Sequence, residues 1–227
     1  KEIIEKSKCC GCNACGDVCP KGAITFQTDK EGFWYPEINQ NLCIDCGLCQ
    51  KTCPVLTKAD NVIRYDEPLV YAAYTKDEVI RTDSTSGGIH SMLALAMYEQ
   101  NAYVGGAIYN KDHTVRHIVS PDRQILPEIR SSKYLQSSME GAYKEVRDLL
   151  KAGEKVFFCG TPCQIQGLYK FLRKEYDNLT TCDFICRGVN SPKVFLSYMD
   201  MLEKQYGSKA TQIKFKNKKW GWHNFSM

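Results

Sequence analysis

Two cysteine runs near the start of the chain carry the clearest chemical signal. The first reads Cys-x2-Cys-x2-Cys-x3-Cys-Pro over residues 9–20, and the second repeats this spacing over residues 43–54. Three thiolates at this spacing bind one iron–sulfur cubane, and the fourth cysteine of each run ligates the cubane of the other run. The spacing therefore predicts two [4Fe-4S] clusters with crossed ligation. The first ligand set is Cys9, Cys12, Cys15 and Cys53, and the second is Cys43, Cys46, Cys49 and Cys19.

The number and crowding of the cysteines limit the alternatives. The chain of 227 residues has 13 cysteines, and nine of them lie between residues 9 and 53. A secreted disulfide framework spreads its pairs through a small domain, whereas crowding at two-residue intervals indicates metal ligation in a reducing compartment. A zinc ribbon needs only two cysteine pairs and would leave the third cysteine of each run without a role. We therefore expect a cytoplasmic iron–sulfur protein, with Cys10 as a bystander to the clusters.

Four further cysteines form two pairs with i, i+4 spacing, Cys159 with Cys163 and Cys182 with Cys186. Both pairs lie at the ends of predicted neighbouring strands, so the four thiols could converge. Three interpretations remain open: a third cluster, a redox-active dithiol, or ordinary buried cysteines beside a cofactor. His113 and His117 are also four residues apart, and an exposed hairpin is the preferred account of this pair.

The elements that position these residues fall into two regions. Alternating apolar and polar residues over 23–27 and 33–38 predict the hairpin of a small two-cluster ferredoxin domain. After residue 68, short apolar runs alternate with segments of helical periodicity, which predicts a largely parallel sheet. We therefore expect an α+β two-cluster ferredoxin-like domain followed by an α/β domain with a largely parallel sheet. The predicted divisions are a ferredoxin domain over 1–57, a linker over 58–68 and an α/β domain over 69–227.

The pattern also predicts the individual elements of the second domain. Strands are expected over 69–74, 102–109, 114–119, 155–159, 179–185 and 212–216, and helices over 89–100, 140–151, 164–174 and 193–205. In the first of these helices, one face is expected to carry Ile89, Met92, Leu93, Ala96 and Met97.

Three loops of the second domain have the composition of an anion site. Residues 84–88 read Ser-Thr-Ser-Gly-Gly just before a helix, where free backbone N–H groups can hold an anion. Gly160-Thr161-Pro162 joins a strand to a helix, the position at which open α/β sheets bind ligands. Residues 131–134 supply two hydroxyls, a cation and an aromatic ring. A serine-glycine helix start is usually only a cap, and a Gly-Thr-Pro corner is usually only a turn. Together, however, the three loops suggest a phosphate-bearing cofactor.

Charge and hydropathy exclude two classes of partner. Net charge is +4, but residues 204–227 hold six lysines and no acid, so the rest of the chain is slightly acidic. A nucleic-acid-binding role is therefore not expected. The longest apolar run, over 92–98, is too short to cross a bilayer, and no signal or transit segment is visible.

Several stretches resemble the coenzyme F420 hydrogenase/dehydrogenase beta-subunit family, and the resemblance extends over essentially the whole chain. They are Thr85-Ser86-Gly87-Gly88, Ser132-Lys133-Tyr134, the run Phe-Cys-Gly-Thr-Pro-Cys-Gln over 158–164 and the run Asp-Phe-Ile-Cys-Arg-Gly-Val-Asn-Ser-Pro over 183–192. Members join a two-cluster ferredoxin domain to an FAD-binding domain. The resemblance implies FAD contacts at Ser86, Gly87, Gly88, Lys133, Gly160, Thr161 and Gln164. It also implies a bacterial protein of which this chain is an N-terminal portion.

The resemblance implies an iron–sulfur flavoprotein oxidoreductase subunit acting on a small organic substrate. A flavin exchanges electrons in pairs, and a cubane exchanges them one at a time. FAD beside two clusters would therefore link two-electron transfer to one-electron transfer. The expected electron source is a redox partner protein or reduced ferredoxin. Two alternatives stay open: a non-catalytic electron carrier whose larger domain docks to a partner, and a reductase acting in surface-polysaccharide biosynthesis. Arg187 and His90 depart from the usual pattern, which leaves the identity of the substrate open.

Overall fold

The N-terminal region of the computed structural model has the expected ferredoxin-like arrangement. The structure describes residues 2–57, 65–224 and 226–227, so residues 58–64 of the predicted linker lie outside the described residues. Two short helices, α1 (Ala14–Val18) and α2 (Leu48–Thr52), each follow the first cysteines of a run. Strands β1 (Ile24–Thr28) and β2 (Trp34–Ile38) form the antiparallel hairpin between the runs.

The second region is an α/β domain built on a five-stranded sheet. Its strands are β3 (Tyr103–Tyr109), β4 (Val115–Ser120), β5 (Ser137–Ser138), β6 (Val156–Gly160) and β7 (Leu179–Asp183). Its helices are α3 (Glu78–Asp83), α4 (Ile89–Tyr98), α5 (Leu126–Ile129), α6 (Ala142–Lys151), α7 (Pro162–Leu172) and α8 (Pro192–Tyr206). The strand order is β5-β4-β3-β6-β7, and every neighbouring pair except β3–β4 is parallel. The predicted fold class is confirmed.

Side chains from alternate positions of β6 enter cores on opposite faces of the sheet. Val156 and Phe158 pack with α6 and α7 on one face, and Phe157 packs with α4 and α5 on the other. A strand buried on both faces reads as a continuous apolar run, as β6 does. The carboxyl ends of β6 and β7 therefore lie between two helical layers.

Two predicted strands and one predicted helix face are wrong. Residues 69–74 form no strand and pair with none in the described part of the chain, and residues 212–216 likewise form no strand. In α4 the sheet-facing side chains are Ser91 and Ala94, whereas Ile89, Met92 and Leu93 are exposed. Small side chains let α4 lie close to the sheet, and an apolar pattern alone does not show which face does so.

The ferredoxin-like region and the α/β domain share one hydrophobic core. Cys12 and Ala14 belong to the same buried cluster as Tyr143 and Phe158. The buried carboxylate of Asp17 accepts hydrogen bonds from the backbone N–H groups of Gly141 (2.8 Å) and Tyr143 (3.1 Å), at the start of α6. Such bonds satisfy N–H groups that a helix start leaves free. The two regions are therefore packed directly against each other.

Gln136 makes a second connection between the two regions. Its side-chain oxygen accepts from the backbone N–H of Trp34 at 2.7 Å, and its side-chain nitrogen donates to the Trp34 carbonyl at 2.8 Å. The amide thus replaces a strand neighbour at the edge of β2. A Cβ on Gly11 would lie 2.5 Å from the same amide nitrogen, so the first cysteine run packs closely against the Gln136 side chain.

Candidate iron-sulfur and cofactor sites

The structure arranges the eight cysteines of the two runs around two cavities. Cavity I is lined by the first predicted ligand set, Cys9, Cys12, Cys15 and Cys53, and also by Cys10. Cavity II is lined by three thiols of the second run and the fourth of the first: Cys43, Cys46, Cys49 and Cys19. These are the two sets that the crossed-ligation prediction requires. The short helices α1 and α2 produce the crossing, because each turns its last cysteine towards the other run.

The donor set of cavity I fits a metal cluster. Burial raises the pKa of the Cys15 thiol, and the neighbouring thiols of Cys9, Cys53 and Cys49 raise it further. Burial also raises the pKa of Cys9. Crowded, buried thiols become thiolates only when a cation compensates their charge, and bound iron supplies that charge. The residues present therefore fit a [4Fe-4S] cluster in cavity I.

Cavity II has the same donor set but a different environment. Burial raises the pKa of Cys49, and the nearby thiols of Cys46 and Cys19 add to this effect. Cys46 is exposed, and Ile44 on the rim of the cavity is 57% exposed. Cavity II therefore opens towards the surface, whereas Cys12 and Cys15 of cavity I are buried against the α/β domain.

Cys10 and Cys163 connect cavity I to the predicted cofactor loop. The two thiols are close enough for each to shift the pKa of the other, and the Cys10 thiol is the main reason why the pKa of Cys163 is raised. Cys163 is in the first turn of α7, and its Sγ lies 3.1 Å from the Thr161 hydroxyl. The contact between Cys163 and Cys10 thus connects the Gly160-Thr161 loop to the first cysteine run. Cys10 is not only a bystander, because it contacts the α/β domain.

The four cysteines of the second domain do not converge. Cys159 and Cys182 are paired across β6 and β7, whereas Cys163 turns towards Cys10. Cys186 is exposed, and its thiol bonds locally with Gly188. The described residues therefore give no shared donor set for a third cluster.

The loops at 84–88 and 131–134 are brought together, as the sequence suggested. The Thr85 hydroxyl accepts from the backbone N–H of Ser132 at 2.9 Å, and the Ser131 hydroxyl donates to the Asp83 carbonyl at 2.8 Å. Arg130 and Lys214 both pair with the Asp83 carboxylate, at 2.8 and 2.6 Å. These contacts fix both loops on the face of the sheet that α4 and α5 cover.

The predicted cofactor residues in these loops have contacts within the protein. A Cβ on Gly87 would lie 3.0 Å from the Ala73 carbonyl oxygen, and one on Gly88 would lie 2.7 Å from a methyl of Thr75. The two glycines therefore let residues 73–75 pass close to the loop. Ser86 is exposed, and its carbonyl accepts a hydrogen bond from the Lys218 ammonium at 3.0 Å.

Lys133 caps the end of α5. Its ammonium donates to backbone carbonyls at the end of the helix, including those of Ile129 (2.9 Å) and Arg130 (3.1 Å). Burial lowers the pKa of Lys133 to about 7, and its charge acts on the thiol of Cys159 at the end of β6. The Lys133 ammonium thus lies at the edge of the sheet, but its N–H donors already bond to backbone carbonyls.

A buried polar network supports the Gly160-Thr161 loop. Gln164 accepts from the Thr161 backbone N–H at 2.9 Å and donates to the Ser137 hydroxyl at 2.9 Å, and Ser137 lies 3.0 Å from Nδ1 of His117. Burial lowers the pKa of His117 to about 4, so the ring is neutral. The expectation that His117 lies on an exposed hairpin is wrong. Val115 and Val119, two positions to either side in the predicted strand, would share its face, and this alternation was the available signal for burial.

Two buried polar atoms near the loops have no partner among the described residues, Ser84 Oγ and His90 Nε2. Burial lowers the pKa of His90 to about 4, and the charges of Lys133 and Arg130 act in the same direction. Buried polar groups in native proteins are normally hydrogen-bonded, so unpaired ones fit a polar ligand. The loop edge formed by 84–90, Lys133 and Gly160-Thr161 therefore fits a polar cofactor, although Gly87, Gly88 and Gln164 already have protein partners.

Comparison with known families supports both regions. Residues 8–57 match the family described as 4Fe-4S dicluster domain, which supports two [4Fe-4S] clusters. Residues 153–227 match the family described as the C terminus of the coenzyme F420 hydrogenase/dehydrogenase beta subunit. The second match supports the family resemblance found in the sequence and includes the Gly160-Thr161 loop.

Individual proteins with similar sequences are oxidoreductases. Coenzyme F420-dependent sulfite reductase of Methanocaldococcus jannaschii is 29% identical over 175 residues, which are 74% of this chain and 26% of that protein. The F subunit of F(420)H(2) dehydrogenase from Methanosarcina mazei is 22% identical over 172 residues, 72% of this chain and 48% of that protein. The chain thus spans between about a quarter and a half of the length of these relatives.

A solved structure is also similar, that of the F420-reducing NiFe hydrogenase complex from Methanosarcina barkeri in a xenon derivative. It aligns with a TM-score of 0.46 and 22% identity over 56% of this chain and 47% of that chain. Within the described residues, no helix is both long and apolar enough to cross a membrane.

Proposed function

We propose that the chain is the electron-transfer part of an iron–sulfur and FAD-dependent oxidoreductase of the coenzyme F420 hydrogenase/dehydrogenase beta-subunit type, acting on a small organic substrate. One observation carries the proposal: cavity I adjoins the start of α7, where Cys163 contacts Cys10 and Thr161 begins the predicted cofactor loop. A cluster in cavity I and a cofactor at the loop would then be neighbours.

The two cavities suggest a direction for the electrons. Cavity II opens to the surface at Ile44 and Cys46, so a cluster there would meet a redox partner protein or reduced ferredoxin. Cavity I is covered by α7, where a Cβ on Gly167 would lie 3.3 Å from Cys12 Sγ. A cluster there would exchange electrons with the α/β domain. Electrons would pass from the partner to cavity II, then to cavity I and then to the loop edge.

FAD is the cofactor that we propose for the loop edge. A bound flavin exchanges electrons in pairs, which one-electron clusters cannot do alone. Ser86, Lys133, Gly160 and Thr161 would line it, and the unpaired Ser84 Oγ and His90 Nε2 would gain a polar partner. Gly87, Gly88 and Gln164 would act indirectly by holding the two loops in place.

One observation favours the electron-carrier alternative. Leu69, Val70 and Tyr71 are 83%, 87% and 79% exposed, and Met92 and Leu93 of α4 are exposed as well. Apolar surface of this extent is typical of protein contacts. A domain that serves only for docking needs such a surface and does not need a cofactor.

An anaerobic FAD titration separates the two functions. Ser86→Glu places a carboxylate where a phosphate is expected without altering a buried contact, and Ser208→Glu is the matched control at an exposed position. We expect wild type and Ser208→Glu to bind FAD alike, and Ser86→Glu to bind about tenfold or more weakly because of like-charge repulsion. Equal affinity in all three proteins would mean that FAD lies elsewhere.

Iron and acid-labile sulfide are measured on the same samples. Two clusters predict about eight of each per chain. If wild type holds the clusters but does not bind FAD, the electron-carrier function replaces the proposed one. A value near four would contradict the two-cluster assignment itself.

A further inference from the structure

Cys159 and Cys182 form a thiol pair that neither the clusters nor the predicted cofactor contacts use. They are register partners on the adjacent parallel strands β6 and β7, so both side chains point to the same face of the sheet. The two thiols are close enough for each to shift the pKa of the other. Both are partly accessible, and they lie beside Gly160 and Asp183 at the carboxyl ends of their strands. Ligands of open α/β sheets bind at this edge.

The backbone geometry allows these two thiols to form a disulfide. Neighbouring strands are about 4.8 Å apart, which falls within the Cα separations of about 4.4–6.8 Å found in disulfides. The separation is near the short end of that range, so a disulfide here would be strained. Strained disulfides are more easily reduced than structural ones and are typical of catalytic or regulatory pairs. The pair can therefore alternate between dithiol and disulfide without a change of fold.

The surroundings give the two cysteines different roles. The neighbouring Cys159 thiol lowers the pKa of Cys182, whereas the Cys182 thiol and burial raise the pKa of Cys159. Cys182 is therefore the thiol that ionises first and acts as the nucleophile, and Cys159 ionises second. The positive charge of Lys133 acts on Cys159 and would stabilise its thiolate when the proton leaves.

We propose that Cys159 and Cys182 are a redox-active dithiol that exchanges with a small-molecule disulfide. The Cys182 thiolate attacks one sulfur of the disulfide, forming a mixed disulfide and releasing one thiolate. Cys159 then loses its proton and attacks Cys182 Sγ, which breaks the mixed disulfide and releases the second thiolate. The Cys159 proton and one from solvent convert the two released thiolates into thiols. The protein loses two electrons and holds a Cys159–Cys182 disulfide.

Return of the protein to the dithiol requires two electrons and two protons. Each [4Fe-4S] cluster carries one electron, so the two clusters together hold the number required, and solvent supplies the protons. This return step rests on the proposed function. The exchange with the external disulfide does not, because it needs only the two thiols.

Oxidised glutathione tests the exchange on the anaerobic, cluster-loaded protein. Samples are quenched by alkylation, and mass spectrometry of the peptides locates disulfides and glutathione adducts. We expect a Cys159–Cys182 link in wild type and none in Cys182→Ser. In Cys159→Ser, glutathione should remain attached to Cys182, because the thiol that displaces it is gone.

Cys186 provides the matched control, since it is exposed and four residues from Cys182. Cys186→Ser should form the link as wild type does. In Cys159→Ser, the serine hydroxyl takes the place of the thiol beside Cys182 and stabilises the Cys182 thiolate. We therefore expect Cys182 to react about tenfold faster than Cys186. Absence of the link in wild type, or faster reaction at Cys186 than at Cys182, would overturn the proposal. These readouts require no FAD and no cluster turnover, so a failure here is distinguishable from a failure of the proposed function.

Discussion

Replacing Tyr143 by Phe tests whether cavity I is built into the core of the α/β domain. The Tyr143 side chain is completely buried, and its hydroxyl lies 2.8 Å from the Cys12 carbonyl and 3.0 Å from the Gln164 carbonyl. It is therefore a hydrogen-bond donor shared between the first cysteine run and α7. Tyr143→Phe keeps the aromatic ring but removes the hydroxyl, so the buried carbonyls of Cys12 and Gln164 lose this hydrogen-bond donor.

The cost follows from the burial of these groups. Leaving a buried polar group without its partner costs about 1–3 kcal/mol, which corresponds to an increase of roughly 5- to 150-fold in the population of locally open molecules. Native-state hydrogen exchange followed by mass spectrometry measures that population in α1 and α7. Release of iron to a ferrous chelator should also accelerate, because Cys12 lines cavity I.

Tyr109→Phe is the matched control. The Tyr109 hydroxyl is also buried, but it has no hydrogen-bond partner among the described residues. Its removal should therefore leave stability unchanged or increase it slightly. Equal losses of protection in the two variants would refute the reasoning, since the loss would then come from altered packing and not from the shared donor.

Three further results are expected. Cys53→Ser should change the same cluster signal in electron paramagnetic resonance as Cys12→Ser, because both thiols line cavity I; a match to the other cluster would contradict the crossed ligation. His117 has a pKa of about 4, below its unfolded value, so its contribution to stability is present above pH 6.5 and decreases as pH falls towards 4. Between pH 7.5 and 5.5, we expect His117 to account for about 1 kcal/mol of the lost stability, measured by hydrogen exchange in β4. The loss should be smaller by about that amount in His117→Asn, while His90, whose pKa is also about 4, still contributes. Gly88→Ala should destabilise the protein by more than Gly141→Ala, judged by thermal unfolding, because both have positive φ but only Gly88 would place a Cβ against a neighbouring side chain. Equal destabilisation would mean that backbone strain alone governs both positions.

The cysteine spacing was sufficient to predict the two cavities, because local geometry determines them. Each run folds around its own three thiols, and the short helices α1 and α2 direct the fourth cysteine to the other cavity. The strands β3, β4, β6 and β7 and the helices α6, α7 and α8 were also predictable to within a few residues. Their apolar residues recur with a clear period, and tertiary packing follows the same period.

The errors occur where packing depends on distant parts of the chain. Residues 69–74 have the composition of a strand, but strand formation requires a neighbour, and no neighbour is present in the described residues. In α4, the burial of Ser91 and Ala94 depends on the close approach of the helix to the sheet. The roles of Gly87 and Gly88 depend on the path of residues 73–75. The sequence indicated these glycines as cofactor contacts, but only the structure shows that residues 73–75 pack against them.

The contact between the two regions determines which cluster responds to changes in the α/β domain. Asp17 bonds to the start of α6, and Gln136 bonds to the edge of β2, so the ferredoxin-like region is packed directly against the domain. The separation between cavity I and the Gly160-Thr161 loop is then set by packing. A substitution in this contact therefore alters the residues around cavity I. The residues around cavity II, on the open side, keep their arrangement. Because cavity II lies on the open side, a different partner protein can bind there without altering the residues of the Gly160-Thr161 loop.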